Sequence, residues 1–122
     1  MAGALLAAAP ALADFEHALA AYERGDYVTA LREFIPLGEN GDPQAQFNLG
    51  LIYDYGLGTE EDDSEAARWY RMAAGHGHVR AQTNLGVLYQ SGSGVSQDFG
   101  QALAWYLMAA DKGFALAQYN LG

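Results

Sequence analysis

Two groups of residues have side chains that could bind a metal ion. His76 and His78 are separated by one residue and could ligate a transition metal, although no third ligand stands at a typical spacing. The acidic run Glu60–Asp63 offers the oxygen ligands that Ca²⁺ takes, but without the spacing of an EF-hand loop. We therefore expect a solvated loop at the histidines, a helix-capping loop at the acidic run, and no bound metal.

Two glycine pairs could suggest a phosphate-binding loop: Gly56 with Gly58, and Gly92 with Gly94. Neither pair forms a G-x-G-x-x-G pattern or precedes a Walker lysine, so turns with positive φ are the expected role. The sequence also contains no cysteine, no S-x-x-K motif and no local signature of a Ser/His/Asp triad. We predict no catalytic residues and no cofactor.

Composition narrows the classes of partner. The chain of 122 residues contains 15 acidic and 6 basic residues, which gives a net charge of −9 at pH 7. The basic residues are scattered and form no stripe, which argues against nucleic acid and favours basic partners. No run of about 20 apolar residues occurs, so no membrane-spanning helix is expected.

The elements that must position these residues recur along the chain with a period of 36 residues. Residues 45–80 and 81–116 are two full copies with 16 identical positions in 36, and a third copy begins at 117–122. Self-similarity at such a period indicates a stack of supersecondary units, each of which buries its apolar face against its neighbours.

Each copy is predicted to form two helices. In the second copy, apolar residues at i, i+4, i+7 and i+8 predict a helix over 79–91, and a similar pattern predicts a helix over 99–112. Asp98 stands at the N-cap of the later helix, with Gln101 at the spacing of a capping box. The connections between helices are short, so neighbouring helices must run antiparallel.

Large and small residues alternate at fixed places in the copies. Gly50 and Gly86 lie inside the first helix of each pair, where glycine costs about 1 kcal/mol relative to alanine, and so they predict a close approach between helices. The repeated Trp105 and Tyr106 are the large members of this packing, and both are expected to be buried against small residues.

The repeated residues carry a resemblance to a known family. The pattern A-x-x-NLG-x-x-Y-x-x-G-x-G-x-x-x-D-x-x-x-A-x-x-WY-x-x-AA-x-x-G, which runs over residues 81–113, resembles the Sel1-like repeat, a relative of the tetratricopeptide repeat. Residues 14–44 resemble a degenerate, tetratricopeptide-like helix pair. The resemblance implies an all-α fold, a right-handed α-solenoid of antiparallel helix pairs, and a role as an adaptor in protein complexes.

The first 13 residues have the shape of a secretory signal. They are apolar and end in Ala11-Leu12-Ala13, an A-x-A cleavage pattern, although no basic residue precedes the apolar run. The alternative is a terminal helix packed under the first unit, which Pro10 would interrupt. With a signal the protein is exported and periplasmic or secreted; without one it is cytoplasmic.

The resemblance also implies where a partner would bind. In tetratricopeptide units the first helix of each pair lines a groove, at positions between the packing residues. Those positions are Gln44, Phe47, Leu51, Asp54 and Tyr55 in the first copy, and Arg80, Thr83, Val87, Gln90 and Ser91 in the second. All five pairs differ between the copies, and three residues of the first set are apolar, which favours a ligand over water.

These observations predict a protein-interaction adaptor, in the bacterial cell envelope, that holds a protein or peptide in its groove. One alternative is an envelope hydrolase like the β-lactamase-like, cysteine-rich branch of the family, which the lack of cysteine and of S-x-x-K disfavours. A third reading is a structural fragment of a longer array. It predicts self-association through the unfinished carboxyl-terminal end.

Overall fold

The protein is an α-solenoid of seven helices in the part of the chain, residues 10–113 and 115–121, that the computed structural model describes. The helices are α1 (Pro10–Glu23), α2 (Tyr27–Glu39), α3 (Pro43–Tyr55), α4 (Asp63–Gly75), α5 (Val79–Ser91), α6 (Phe99–Asp111) and α7 (Ala115–Leu121). Each helix packs mainly on the helices that precede and follow it along the chain. The predicted all-α architecture is confirmed.

The predicted helix ends are close to those observed. The helix expected over 79–91 is α5, and the helix expected over 99–112 is α6, which ends one residue earlier because Lys112 is its C-cap. At the beginning of the chain, α1 starts at Pro10 rather than being interrupted by it. A proline fits the first turn of a helix, where its missing N–H would have no partner. Of the predicted signal, residues 1–9 lie outside the described part.

The second helix of each pair begins with an aspartate cap, as predicted. The Asp98 carboxylate accepts from the backbone N–H of Gln101 at 3.0 Å, and Asp62 does the same for Glu65 at 3.1 Å. The reciprocal half of the capping box is wrong. The Asp98 N–H donates to the carbonyl of Tyr89 at 2.9 Å instead, which ties the inter-helix loop to the preceding helix.

The glycine pairs form left-handed turns, as predicted, and also allow contact between units. Gly92 is the C-cap of α5 with φ 72°, and Gly94 has the same φ. A Cβ atom on Gly94 would collide with the backbone of Asp63 at the start of α4. Gly58 meets Tyr27 in the same way at the start of α2. The second glycine of each pair therefore lets its loop rest on the preceding unit.

The core confirms the predicted packing of large against small residues. Tyr70 is fully buried against Gly50, and a Cβ atom on Gly86 would lie 2.6 Å from Cε1 of Tyr106. Trp69 is 2% exposed, whereas Trp105 is only partly buried at the edge of its cluster.

A repeated glutamine links each pair of helices to the next. The side-chain amide of Gln46 donates to the carbonyl of Gly38 at 2.9 Å, and that of Gln82 donates to Ala74 at 3.2 Å. Gln118 repeats the bond to Ala110 at 3.2 Å. Each of these carbonyls also accepts from the backbone N–H of the glycine three residues further on, so the amide adds a second hydrogen bond to a carbonyl near a helix end. Within the described part of the chain, no helix has the length and apolar character needed to cross a membrane.

Candidate binding groove

A cleft of about 390 Å³ opens between the carboxyl-terminal ends of α3 and α5. We call it the acidic cleft. Its lining residues are Asp54, Tyr55, Glu61, Asp63, Asn84, Val87, Leu88, Ser91 and Ser93. The predicted groove residues Asp54, Tyr55, Val87 and Ser91 thus meet at one place, with Tyr55 67% exposed.

Two predicted groove residues are not accessible there. Phe47 is 1% exposed and Thr83 is fully buried, so the expectation that they face a ligand is wrong. Phe47 packs between Tyr70 and the ring of His78, with the Arg80 guanidinium 5.0 Å from its ring centre. The residues at the start of α5 therefore cover Phe47, a position that the sequence pattern of α3 alone predicts to be exposed.

The other predicted groove residues lie outside the acidic cleft. Gln44 is exposed and bonds Asn48 at 3.1 Å, while Arg80 is exposed beside Phe47. Leu51 is partly buried against the core. Gln90 accepts from the Tyr106 hydroxyl at 2.7 Å and lines a second, smaller cavity.

Sequence reasoning missed the loop and α4 contributions to the cleft. The sequence predicts a solvated, capping loop here, and Glu61 and Asp62 do lie exposed in that loop. Asp63 instead begins α4, and both Glu61 and Asp63 also line the cleft. The backbone bond from Asp62 to the Tyr53 carbonyl, 2.9 Å, folds this loop back toward α3. The signal in the sequence for this contribution was the acidic composition of residues 60–63, which follow the predicted groove residues Asp54 and Tyr55.

Burial and hydrogen bonding control the charge of the cleft. Burial raises the pKa of Asp54 above its ordinary value, the charge of Asp63 raises it further, and a hydrogen bond from the Tyr70 hydroxyl, 2.9 Å, opposes both. Burial and the adjacent carboxylate also raise the pKa of Tyr70, so its hydroxyl stays protonated and donates. Burial has therefore removed part of the hydration of the Asp54 carboxylate, and a nearby cation could compensate for that loss.

The second cavity, about 150 Å³, lies one unit further along, and we call it the apolar cavity. Its lining residues are Gln90, Phe99, Ala102, Leu103, Tyr106, Asn120 and Leu121. Phe99 and Leu103 are 66% and 51% exposed, which is unusual for large apolar side chains of a packed helix. They offer an uncovered apolar surface.

Of the two histidines expected in a solvated loop, His76 is exposed, whereas His78 has a structural role. His78 is the N-cap of α5, where its Nδ1 accepts from the Ala81 N–H at 3.2 Å and its Nε2 lies 3.1 Å from Oε1 of Gln44. Its ring stacks on Phe47 with centroids 4.4 Å apart. His76 is the exposed C-cap of α4. Over residues 10–113 and 115–121, no three acidic or histidine side chains converge to hold a metal ion.

Solved structures share this architecture. A Sel1 repeat protein from Oxalobacter formigenes is 33% identical with a TM-score of 0.81, over 86% of this chain and 43% of its own. A protective antigen of uropathogenic Escherichia coli with an SLR fold is 34% identical, also with a TM-score of 0.81, over 86% of this chain and 23% of its own. Cysteine-rich protein B of Helicobacter pylori, 20% identical with a TM-score of 0.72 over 88% of this chain and 91% of its own, shares the fold.

Sequence comparison agrees with the structural one. The DAP3-binding cell death enhancer 1 of Rattus norvegicus is 36% identical over 53 residues, which are 43% of this chain and 10% of that protein. The chain thus spans about a tenth of the length of this curated relative. The model of the Sel1 repeat matches residues 43–78 and 79–114, units that begin where α3 and α5 begin. The two matched units cover more than half of the chain, which therefore belongs to the Sel1 repeat family.

Proposed function

We propose that this protein binds a segment of a protein partner in the acidic cleft and acts as an adaptor. The observation that supports the proposal is a difference between the core positions and the cleft positions of the two copies. Residues that are identical in both copies, such as Gly50 and Tyr70, form much of the core, whereas most residues that line the cleft, Tyr55 and Ser91 among them, differ between the copies. A surface that varies on a scaffold that repeats is the arrangement expected of a binding module.

The family supports this proposal. Sel1 repeats generally serve as non-catalytic scaffolds for protein interactions. The name of the rat relative describes a protein that binds DAP3, and this makes a protein partner a reasonable class for the present chain. The fold alone does not specify that partner, since function depends on the particular residues of a site.

Site-specific photocrosslinking tests the cleft directly. A photoreactive phenylalanine analogue placed at Tyr55 or Ser91 is expected to crosslink the same partner in cells that produce the protein. Arg68 and Ala104 are matched control positions, since they are exposed and also stand 36 residues apart on α4 and α6. Equal crosslinking from all four positions, or from the control pair alone, would show that the partner does not occupy the cleft.

We place the adaptor in the bacterial cell envelope, in the periplasm or outside the cell. This part of the proposal depends on the apolar residues 1–13 and their A-x-A ending. Fractionation of cells, followed by mass spectrometry of the mature amino terminus, is expected to find the protein outside the cytoplasm with Asp14 first. Recovery of the uncleaved chain from the cytoplasm would contradict it.

Self-association also stays a prediction. The surface that would carry it is the exposed apolar part of α6, where Leu107 and Met108 are 49% and 47% exposed. Light scattering of the purified protein should show a mass that grows with concentration, and Leu107→Ser should reduce that growth. A constant monomer mass at high concentration would contradict the prediction.

A further inference from the structure

The side chain of His78 joins the beginning of α5 to α3. Its Nδ1 accepts from the Ala81 N–H at 3.2 Å, and its Nε2 lies 3.1 Å from Oε1 of Gln44 on α3. Its ring also stacks on Phe47 of α3, with centroids 4.4 Å apart. Over residues 10–113 and 115–121, no other hydrogen bond runs directly from α3 to α5 or its cap. We call this set of contacts the His78 junction.

The hydrogen bonds of the junction assign the tautomer of the neutral ring. Because Nδ1 accepts from a backbone N–H, it carries no proton, so the proton lies on Nε2 and is donated to Oε1 of Gln44. The Gln44 amide is oriented for this role, since its Nε2 donates to Oδ1 of Asn48 at 3.1 Å. The junction therefore requires a neutral imidazole in one tautomer.

Protonation of His78 is incompatible with these contacts. A second proton on Nδ1 would face the Ala81 N–H, which places two donors 3.2 Å apart with no acceptor between them. The positive ring would also lie at the amino terminus of α5, where the helix dipole favours negative charge. One rigid ring makes all the contacts of the junction. Turning it away from Ala81 therefore also disturbs its bond to Gln44 and its stacking on Phe47.

The helices around His78 favour the neutral ring. Burial lowers the pKa of His78 below its ordinary value of 6.5, and the charge of Arg80 on α5 lowers it further. The α3 side chains that contact the ring, Gln44 and Phe47, do not ionise. In the described part of the chain, no negative charge raises the pKa of His78. A protonated ring would therefore gain no ion pair where it stands.

The loop before α5 adds a further positive charge. The Lys112 ammonium, at the C-cap of α6, donates to the Gly77 carbonyl at 3.1 Å. This cation is thus bound to the residue that directly precedes His78. His76, two residues before His78, is exposed. Acid is accordingly the condition under which the junction is disturbed.

We propose that the His78 junction is a pH-sensitive device that holds the first turn of α5 against α3 near neutral pH and releases it in mild acid. Tyr55 of α3 and Ser91 of α5 both line the acidic cleft, so release of α5 changes the width of the cleft. The consequence for a bound partner rests on the proposed function, whereas the release itself does not.

The equivalent cap one unit earlier contains no imidazole and provides a control within the same chain. Asp42 caps α3 and accepts from the Gln44 and Ala45 N–H groups at 2.9 Å and 3.3 Å. A carboxylate accepts hydrogen bonds in its charged form, and a negative charge suits this end of a helix. Ala45 stands 36 residues before Ala81. The two alanine amides therefore compare an acid cap with a histidine cap.

NMR spectroscopy of the full chain between about pH 7.5 and pH 5, which spans the usual range of histidine titration, tests the junction. The Cε1–H signal of His78, identified by its absence from His78→Asn, should titrate with a midpoint below 6.5. The Ala81 amide signal should shift with the same midpoint, and the Ala45 amide should show no such step. A midpoint at or above 6.5, or an Ala81 amide that does not follow the ring, would overturn the proposal.

Far-UV circular dichroism distinguishes release of one turn from unfolding. The helical signal should be almost unchanged over the same pH range, because the rest of α5 stays packed in the stack. A large loss of helical signal at the midpoint of the His78 titration would show that the whole fold opens, and would overturn a local release.

Distances between pairs of spin labels test the effect on the cleft. The sequence contains no cysteine, so Tyr55→Cys with Ser91→Cys labels α3 and α5 alone. Their mean distance should change by about 1–2 Å, the usual scale of helix shifts at interfaces, as the pH falls through the midpoint. His78→Asn should abolish this change. The control pair, Glu23→Cys with Tyr55→Cys, labels exposed positions at the ends of α1 and α3 and should keep its distance.

The outcomes separate this inference from the proposed function. A Tyr55–Ser91 distance that stays constant in acid, or that changes equally in His78→Asn, overturns the inference and leaves the cleft as a protein-binding site. If the distance changes and photocrosslinking from Tyr55 changes with the same midpoint, both proposals are supported. If the distance changes but no partner crosslinks at any pH, the proposed function fails and the pH-sensitive junction is supported.

Discussion

The two matched units, residues 43–78 and 79–114, use the same packing and present different surfaces. In each, a glycine of the first helix receives a tyrosine ring of the second, and that tyrosine hydroxyl bonds a residue four positions after the glycine. The acceptor is Asp54 in one unit and Gln90 in the other. The same contact therefore positions a carboxylate in the acidic cleft and a neutral amide in the apolar cavity.

This difference shows how a repeat can hold its shape while its binding chemistry changes. Tyr70 and Tyr106 are buried and fixed by their glycines, so the hydroxyl reaches the groove from the core side in both units. The residue that accepts the hydroxyl is free to differ, because both a carboxylate and an amide oxygen can accept a hydrogen bond. Substitutions at equivalent positions of the two units should therefore separate packing from surface chemistry.

The largest expected effect comes from filling the glycine sites. Gly50→Ala should lower the free energy of unfolding by about 3 kcal/mol, the upper part of the range for overpacking, because the new Cβ atom would collide with the fully buried Tyr70 ring. Gly86→Ala should cost less, because the contact with Tyr106 is longer and that ring is 4% exposed. Urea denaturation followed by circular dichroism measures both.

Gly75→Ala is the control for the glycine variants. Gly75 lies at the end of α4, has an ordinary φ and would place its Cβ atom in open space. Alanine there should be neutral or slightly stabilising, since it lowers the entropy of the unfolded chain. Equal losses in Gly50→Ala and Gly75→Ala would show that the tyrosine contact does not decide the effect.

The repeated features were predictable from the sequence, and the reason is visible in these residues. Both matched units bury a glycine of the first helix against a tyrosine of the second, so selection for packing leaves a periodic pattern. The groove was less predictable. Phe47 is covered by Arg80 and His78 from the next helix, and Glu61 reaches the cleft through a loop bond. Such contacts between elements leave no periodic signal.

The tyrosine hydroxyls should have a smaller and unequal effect. Tyr70→Phe removes a hydrogen bond to a carboxylate, for which about 1.5–3 kcal/mol is typical, whereas Tyr106→Phe removes one to an amide, for which about 0.5–1.5 kcal/mol is typical. The same denaturation experiment should therefore rank Tyr70→Phe as the more damaging. The reverse order of stabilities would contradict this account.

The caps of the two first helices predict a difference in pH dependence. Asp42 caps α3, and His78 caps α5 at the equivalent position. Burial lowers the pKa of His78 below its ordinary value of 6.5, and the charge of Arg80 lowers it further. The unfolded chain then binds more protons than the folded one, so the contribution is intact above pH 6.5 and is lost as the pH falls toward the folded pKa.

Replacement of the imidazole isolates this effect. His78→Asn keeps a capping side chain that does not titrate, so the free energy of unfolding of this variant should fall less than that of the wild type between pH 7.5 and about pH 5. His76→Gln is the control, because His76 is an exposed C-cap. Identical pH profiles for the wild type and His78→Asn would show that protonation of the cap has no effect on stability.

The smallest expected effect is a gain, at the boundary between the first helix pair and the matched units. The side-chain amides of Asn84 and Asn120 oppose the rise in the pKa of Tyr70 and of Tyr106, so each amide faces the tyrosine fourteen residues earlier. Fourteen residues before Asn48 stands Phe34, which has no hydroxyl. The side-chain Nδ2 of Asn48, a residue 5% exposed, accordingly has no hydrogen-bond partner among the described residues.

Phe34→Tyr should therefore stabilise the protein by about 0.5–1.5 kcal/mol, because it supplies a partner for a buried polar group. A double-mutant cycle with Asn48→Ala separates this bond from other effects of the added oxygen. The gain should vanish in the Asn48→Ala background, because the new hydroxyl would then be buried without its hydrogen-bond partner. An equal gain in both backgrounds, or a loss with Asn48 present, would mean that the register of the repeat does not extend into the first helix pair.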